Sequence, residues 1–176
     1  MIIIPLTKSP FDKGRVGPRN WQDWYCGITA ALNYSYEVAG SQILVLSDVH
    51  VSGQKSEVQI YTEALRFMGC NNPRIIHEGQ ETIGQIEYVV KLAREENEEL
   101  VFFVSVLHYP RVAWICRDYT DSVKIRIVPV WGIPRPKEAI TDFVLIFLYP
   151  ILDSLIPSFK EWFQNRVVRR REAGVQ

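Results

Sequence analysis

The stretch FFVSVLHYPRVAWICR, residues Phe102 to Arg117, decides how the rest of the chain is read. A strand with no polar alternation runs into a helix through Ser105, His108, Pro110 and Arg111. Apolar runs of strand length without alternation belong to strands buried on both faces, and Pro suits the first turn of a helix. The polar residues at the junction therefore sit where a strand ends and a helix begins, the commonest position for a ligand site in an α/β protein.

Outward from this junction the same alternation repeats. Ile2 to Leu6, Ile43 to Leu46, Arg74 to His77, Leu100 to Val104 and Val123 to Val130 read as five strands. Between them, helices are expected from about Trp21 to a stop near Gly40, from Ser56 to Met68, and from Thr82 to about Glu96. Val58, Thr62, Leu65 and Met68 recur at helical spacing in the second helix, and Ile83, Ile86, Val90 and Ala93 in the third. Strands alternating with helices form βαβ units whose right-handed crossovers place helices on both faces. The expectation is an α/β three-layer Rossmann-like sandwich with a mainly parallel five-stranded sheet and extra C-terminal helices. Residues 1–136 would form the domain, with 137–176 a helical extension packed on it.

Composition narrows the function classes. With 47% hydrophobic residues in 176, the chain is long enough for one substantial core. Lys plus Arg equals Asp plus Glu at 20 each, so no global charge favours nucleic acid, and any ligand site must be local. Cys26, Cys70 and Cys116 are an odd, scattered set without metal-ligand spacing, which favours reduced thiols and a cytoplasmic location. No secretory leader is read at Met1 to Leu6. Phe143 to Leu152 is too short, and carries Pro150, for the roughly 20 apolar residues of a transmembrane helix.

In open α/β sheets, ligands bind beyond the carboxyl ends of the strands, where helix N-termini present free N–H groups. Ser56-Glu57-Val58-Gln59 and Thr82-Ile83-Gly84-Gln85 both match a capping box. With Pro110, they mark three helix starts along one edge of the sheet.

At this point a resemblance enters. The run from Ser105, with its serine, histidine, proline and arginine, resembles the motif of the YdcF/SanA-like family, a widespread bacterial domain of unknown function. The resemblance extends over roughly Ile43 to Val130. It aligns Ser47, Ser56 and Glu57 with the family's second-strand loop and following helix start, and Glu78, Glu81 and Thr82 with its third-strand end and next helix start. The family's glycines after the second strand are here Asp48 and Val49, its asparagine before the threonine is Glu81, and a glutamate-asparagine pair is Gly84 and Gln85. The resemblance implies a Rossmann-like fold and a small-molecule pocket holding a nucleotide, S-adenosylmethionine or a phosphate-bearing ligand. The family has no common reaction, so three functions are expected as alternatives: an enzyme acting on that ligand by transfer or hydrolysis, a non-enzymatic binding or cell-envelope factor, or an interaction protein using its apolar C-terminal helices.

Residue by residue, alternatives stay open. His108 suits a general acid/base or ligand hydrogen bonding, or equally a helix start satisfied by backbone. Arg111 suits a phosphate or carboxylate, or an ion pair with Glu57 or Glu78. Ser105 would be a nucleophile only with His108 as its base, and no Gly-x-Ser-x-Gly elbow surrounds it. Glu57 and Glu78 suit ribose hydroxyls, or simply favourable placement at helix starts. Asp48 and His50 fall short of a metal set, so no metal is expected; Lys13, Arg15 and Arg19 form a basic loop cluster. Phe143, Ile146, Phe147, Leu152, Leu155, Ile156, Phe159, Trp162 and Phe163 make the C-terminal helices either self-packed or a homodimer surface, and Arg166 and Arg169 to Arg171 follow them.

Overall fold

The computed structural model describes residues 1–6, 11–12, 15–16, 18–47, 53–79, 81–131, 140, 144, 148, 150–156, 158–159, 162 and 165, with backbone alone for 11–12, 15–16 and 18–23. Lys13, Asp48 and His50 of the sequence reading lie outside the described residues, as do the side chains of Arg15 and Arg19.

Five strands form one parallel sheet: β1 (Ile2–Leu6), β4 (Gln42–Leu46), β5 (Arg74–Ile76), β6 (Leu100–Ser105) and β7 (Ile125–Val130), in the order β5-β4-β1-β6-β7. The order reverses between β1 and β6, the arrangement of a doubly wound sheet. Helices α1 (Pro18–Glu37), α2 (Glu57–Phe67), α3 (Thr82–Glu96) and α4 (Tyr109–Cys116) connect them. The expected three-layer α/β sandwich is thus present.

Where the basic cluster reads as loop, the chain forms β2 (Phe11–Asp12) and β3 (Arg15–Val16), paired antiparallel, and α1 starts at Pro18 rather than Trp21. Pro18 occupies the first position of α1, where its missing N–H costs nothing. At the other end α1 stops at Glu37, and Gly40 takes a positive φ of +74° in the turn that follows.

Alternate residues of the central strands feed two cores. Ile4, Leu44, Phe102 and Val104 meet Ile83, Ile86 and Val90 of α3 and Val112 and Ile115 of α4. Ile3, Val45, Val101 and Phe103 meet Trp24, Ile28 and Leu32 of α1 and Val58, Tyr61 and Leu65 of α2. Both faces of β6 are therefore dry, which explains why its sequence shows no alternation. Within the C-terminal region, Phe159 is buried in the α3/α4 core, with Leu152 packed beside it.

Two prolines lie in strands. Pro129 sits in the edge strand β7, where a missing donor faces no neighbour. Pro5 is in the central strand β1. Met1 O accepts from Gln42 N, so the odd residues of β1 face β4, and Pro5 has no N–H for that side. The register with β4 accordingly runs only through Ile2↔Gln42 and Ile3↔Ile43, whereas pairing with β6 continues to Leu6↔Val104.

Phe102 is fully buried, so Phe102→Ala should lower stability by about 3–5 kcal/mol, enough to lower the denaturation midpoint strongly or abolish folding. Phe67, 91% exposed at the end of α2, serves as control: Phe67→Ala should shift urea denaturation by no more than about 0.5 kcal/mol.

Candidate functional site

The carboxyl edge of the sheet brings together the ends of β4 and β6 and the starts of α2, α3 and α4. Each start is built differently.

At α2, Ser56 is the N-cap and the predicted capping box is complete: its hydroxyl accepts from Gln59 N at 3.2 Å, and Gln59 Oε1 accepts from Ser56 N at 2.8 Å. Glu57, the first residue of the helix, points inward and is 5% exposed. Its carboxylate accepts from the Ser47 hydroxyl at 2.7 Å and from the Tyr61 hydroxyl at 2.6 Å. A buried carboxylate held by two hydroxyls at the positive end of a helix is well compensated electrostatically. Tyr61 did not figure among the sequence candidates. The signal was the i,i+4 spacing of Glu57 and Tyr61 on a face otherwise occupied by Val58, Thr62 and Leu65.

At α3 the structure corrects the expected capping box. The N-cap is Glu81, not Thr82, and its carboxylate accepts from Ile83 N at 2.7 Å and from Gly84 N. A carboxylate satisfies two orphan N–H groups where a threonine hydroxyl satisfies one, so the acidic residue wins the cap position. Gln85 is consequently free of capping duty. Its side-chain amide donates to Leu46 O at 3.3 Å and to Gly79 O at 3.1 Å, tying the end of β4 to the β5–α3 connection. Gly79 has φ +76°, and a Cβ there would lie 2.6 Å from Gln85 Cγ, so this close approach requires glycine.

The start of α4 is the uncapped one. His108 precedes the helix in αR conformation without a side-chain cap bond, Pro110 occupies the first turn, and Arg111 follows. His108 N donates to Ser105 O at 2.9 Å, which closes the turn between β6 and α4. The ring is 7% exposed, with Nδ1 shut off from solvent. Nε2 lies 3.4 Å from Thr82 Oγ1, with donor and acceptor roles set by the tautomer.

Among the predicted residues, His108 and Thr82 thus meet across the starts of α4 and α3, and Ser47 meets Glu57. Glu81 spends its carboxylate on its own helix. Ser105 is half-buried at the end of β6, and no hydrogen bond joins its hydroxyl to His108. Arg111 is half-buried in the first turn of α4. Glu78 is exposed beyond the end of β5 and makes no ion pair among the described residues.

A concavity of about 650 Å³ opens at the opposite edge of the sheet, lined in part by Ser41, Cys70, Asn72, Glu96 and Glu98. Its acids are already paired: Glu96 with Arg74 at 2.7 Å, and Glu98 with the amino group of Met1. Burial pushes the Cys70 thiol above its usual range, only partly offset by a hydrogen bond from the Asn72 backbone, so little thiolate forms there near neutral pH. No cluster of metal-ligating side chains occurs among the described residues.

Comparison of the chain with protein-family models, curated proteins and solved structures finds no match.

Two substitutions separate structural acids from the solvated one. Glu81→Ala removes both N-cap acceptors and should cost about 0.5–2 kcal/mol, while Glu78→Ala should stay within about 0.5 kcal/mol, both read from urea denaturation. Tyr61→Phe removes one hydroxyl from the buried Glu57 carboxylate and should cost about 1.5–3 kcal/mol in the same assay.

Proposed function

We propose that the chain is a small-molecule-binding protein of the YdcF/SanA-like kind, with its ligand at the carboxyl edge of the sheet, close to the switch between β1 and β6. The observation that carries this reading is the contact between His108 and Thr82, which joins the motif histidine to the start of a helix from the other side of the switch point.

The distribution of charge favours a particular ligand. The starts of α2 and α3 already hold the carboxylates of Glu57 and Glu81, so they repel rather than attract a polyphosphate. The start of α4 carries His108 and Arg111 and, among the described residues, no capping acid. A molecule with hydroxyl or cationic groups at one end and a carboxylate or a single phosphate at the other complements this asymmetry. S-adenosylmethionine, with its ribose hydroxyls, sulfonium and carboxylate, has that layout, as does a nucleoside monophosphate. Arg111 would take the anionic end in a bidentate contact.

If the site turns over its ligand, as a transferase or hydrolase, His108 is the acid/base of choice. Its ring is buried and its Nε2 faces the Thr82 hydroxyl at 3.4 Å, while its backbone N–H fixes the residue through Ser105 O. Ser105 is the weaker candidate for a nucleophile, because it has no hydrogen bond to that ring. Saturation of Glu57 by Ser47 and Tyr61, and of Glu81 by its own helix, favours the second reading, a binding or envelope-associated factor without turnover. The three cysteines, all free thiols, accord with a cytoplasmic protein.

Thermal denaturation with S-adenosylmethionine, adenosine monophosphate, adenosine triphosphate and inorganic phosphate tests the reading. A ligand at a hundredfold excess over its Kd stabilises by about 2.7 kcal/mol, or roughly 5–11 °C for a chain of this length. The expected order places the zwitterion or monophosphate above the triphosphate, with the shift lost in His108→Ala and Arg111→Ala. Full retention of the shift in both variants removes this edge as the binding site.

A further inference from the structure

An aromatic ring that the core does not use stands at the carboxyl edge of the sheet. Trp131 follows β7 directly and is 82% exposed. Trp24 and Trp114, by contrast, are buried, and the partly exposed Trp162 stacks on Phe159. Trp131 makes no hydrogen bond, ion pair or ring contact among the described residues. An indole left in water forgoes burial of about 150–250 Å² of largely apolar surface, so its exposure here is the informative observation.

Strand pairing fixes where that ring is rooted. Ser105 is in register with Val130, and Val106 N donates to Val130 O at 3.1 Å. Paired strands lie about 4.8 Å apart, so Trp131 springs from beside the turn that ends in His108. Helix α4 packs against both β6 and β7 and begins at this same edge, with Arg111 in its first turn. Tyr109, its first residue, is a further exposed ring. Two rings present at most about 300–500 Å² between them, short of the roughly 800 Å² that a stable protein partner covers. Their scale suits a small molecule.

Chemistry narrows the class of that molecule. The face of an indole attracts flat π systems by stacking and cations through its quadrupole. With the Arg111 guanidinium at the start of the neighbouring helix, a cation meets like charge, whereas an uncharged flat ring does not. A flat ring joined to an anionic group therefore matches Trp131 and Arg111 together. We infer that Trp131 is the stacking platform for the nucleobase of a ligand whose anionic end lies toward Arg111, an inference that rests on the carboxyl-edge reading above. The platform is specific for the presence of a base and indifferent to its hydrogen-bonding edge, because every base has a π face.

Calorimetric titration of the full chain with adenosine monophosphate, S-adenosylmethionine and ribose 5-phosphate tests this. A base-bearing ligand should bind about 5- to 150-fold more tightly than ribose 5-phosphate, the range of one base–aromatic stack. Trp131→Ala should abolish that difference and Trp131→Phe should restore most of it, while ribose 5-phosphate binds both variants as it binds the unaltered chain. Position 131 is exposed, so both variants should keep the circular dichroism spectrum. Unchanged affinity for the base-bearing ligand in Trp131→Ala overturns the platform and leaves the carboxyl-edge reading standing. Equal affinity for ligands with and without a base does the same. Absence of binding by all three removes the reading and the platform together.

Discussion

Everything in this molecule hangs on β6 being dry on both faces. Its backbone is paired along its full length, with β1 on one side and β7 on the other, and its side chains alternate between two cores. A strand so enclosed cannot end in the interior without stranding its carbonyls and N–H groups. The turn at Ser105 to His108 solves this: Val106 N donates to Val130 O and His108 N to Ser105 O. The histidine at the mouth of the site is thus held by the same hydrogen bonds that terminate the core strand. Its position is a by-product of strand termination, available for chemistry at little further cost in order.

The three helix starts show how one fold position can be put to different uses. Each offers unsatisfied N–H groups and a partial positive charge. At α2 that field steadies a buried glutamate and at α3 it is absorbed by a capping glutamate, while at α4 the residue before the helix makes no side-chain cap bond and an arginine stands in the first turn. The polarity of the edge arises from which residue precedes each helix. A chain with Asn at position 81, or Gly at 57, would present a far more anion-attracting edge on the same backbone.

The layers were legible in the sequence because burial on both faces leaves an unmistakable mark: Ile43 to Leu46 and Leu100 to Val104 carry no polar residue, and Ile83, Ile86, Val90 and Ala93 keep helical period. The edge of the sheet was legible too, because Ser56 and Pro110 punctuate helix starts. What could not be read was the allocation of capping duty between Glu81 and Thr82, adjacent residues that both favour helix starts; two N–H groups for one carboxylate decided it. The partnership of Tyr61 with Glu57 was hidden for a related reason. Tyrosine at an inward position reads as core, and its hydroxyl declares a role only once an acceptor is found within reach.

Gln85 has a consequence of its own. One amide group grips Leu46 at the end of β4 and Gly79 before α3, so the crossover that carries the chain from one face of the sheet to the other is pinned at its departure point. With the close approach at Gly79 leaving no slack, α3 cannot slide along its axis independently of the sheet. The gap between Thr82 and His108 is therefore a dimension of the rigid frame, fixed on the α3 side by a side chain one turn along the same helix.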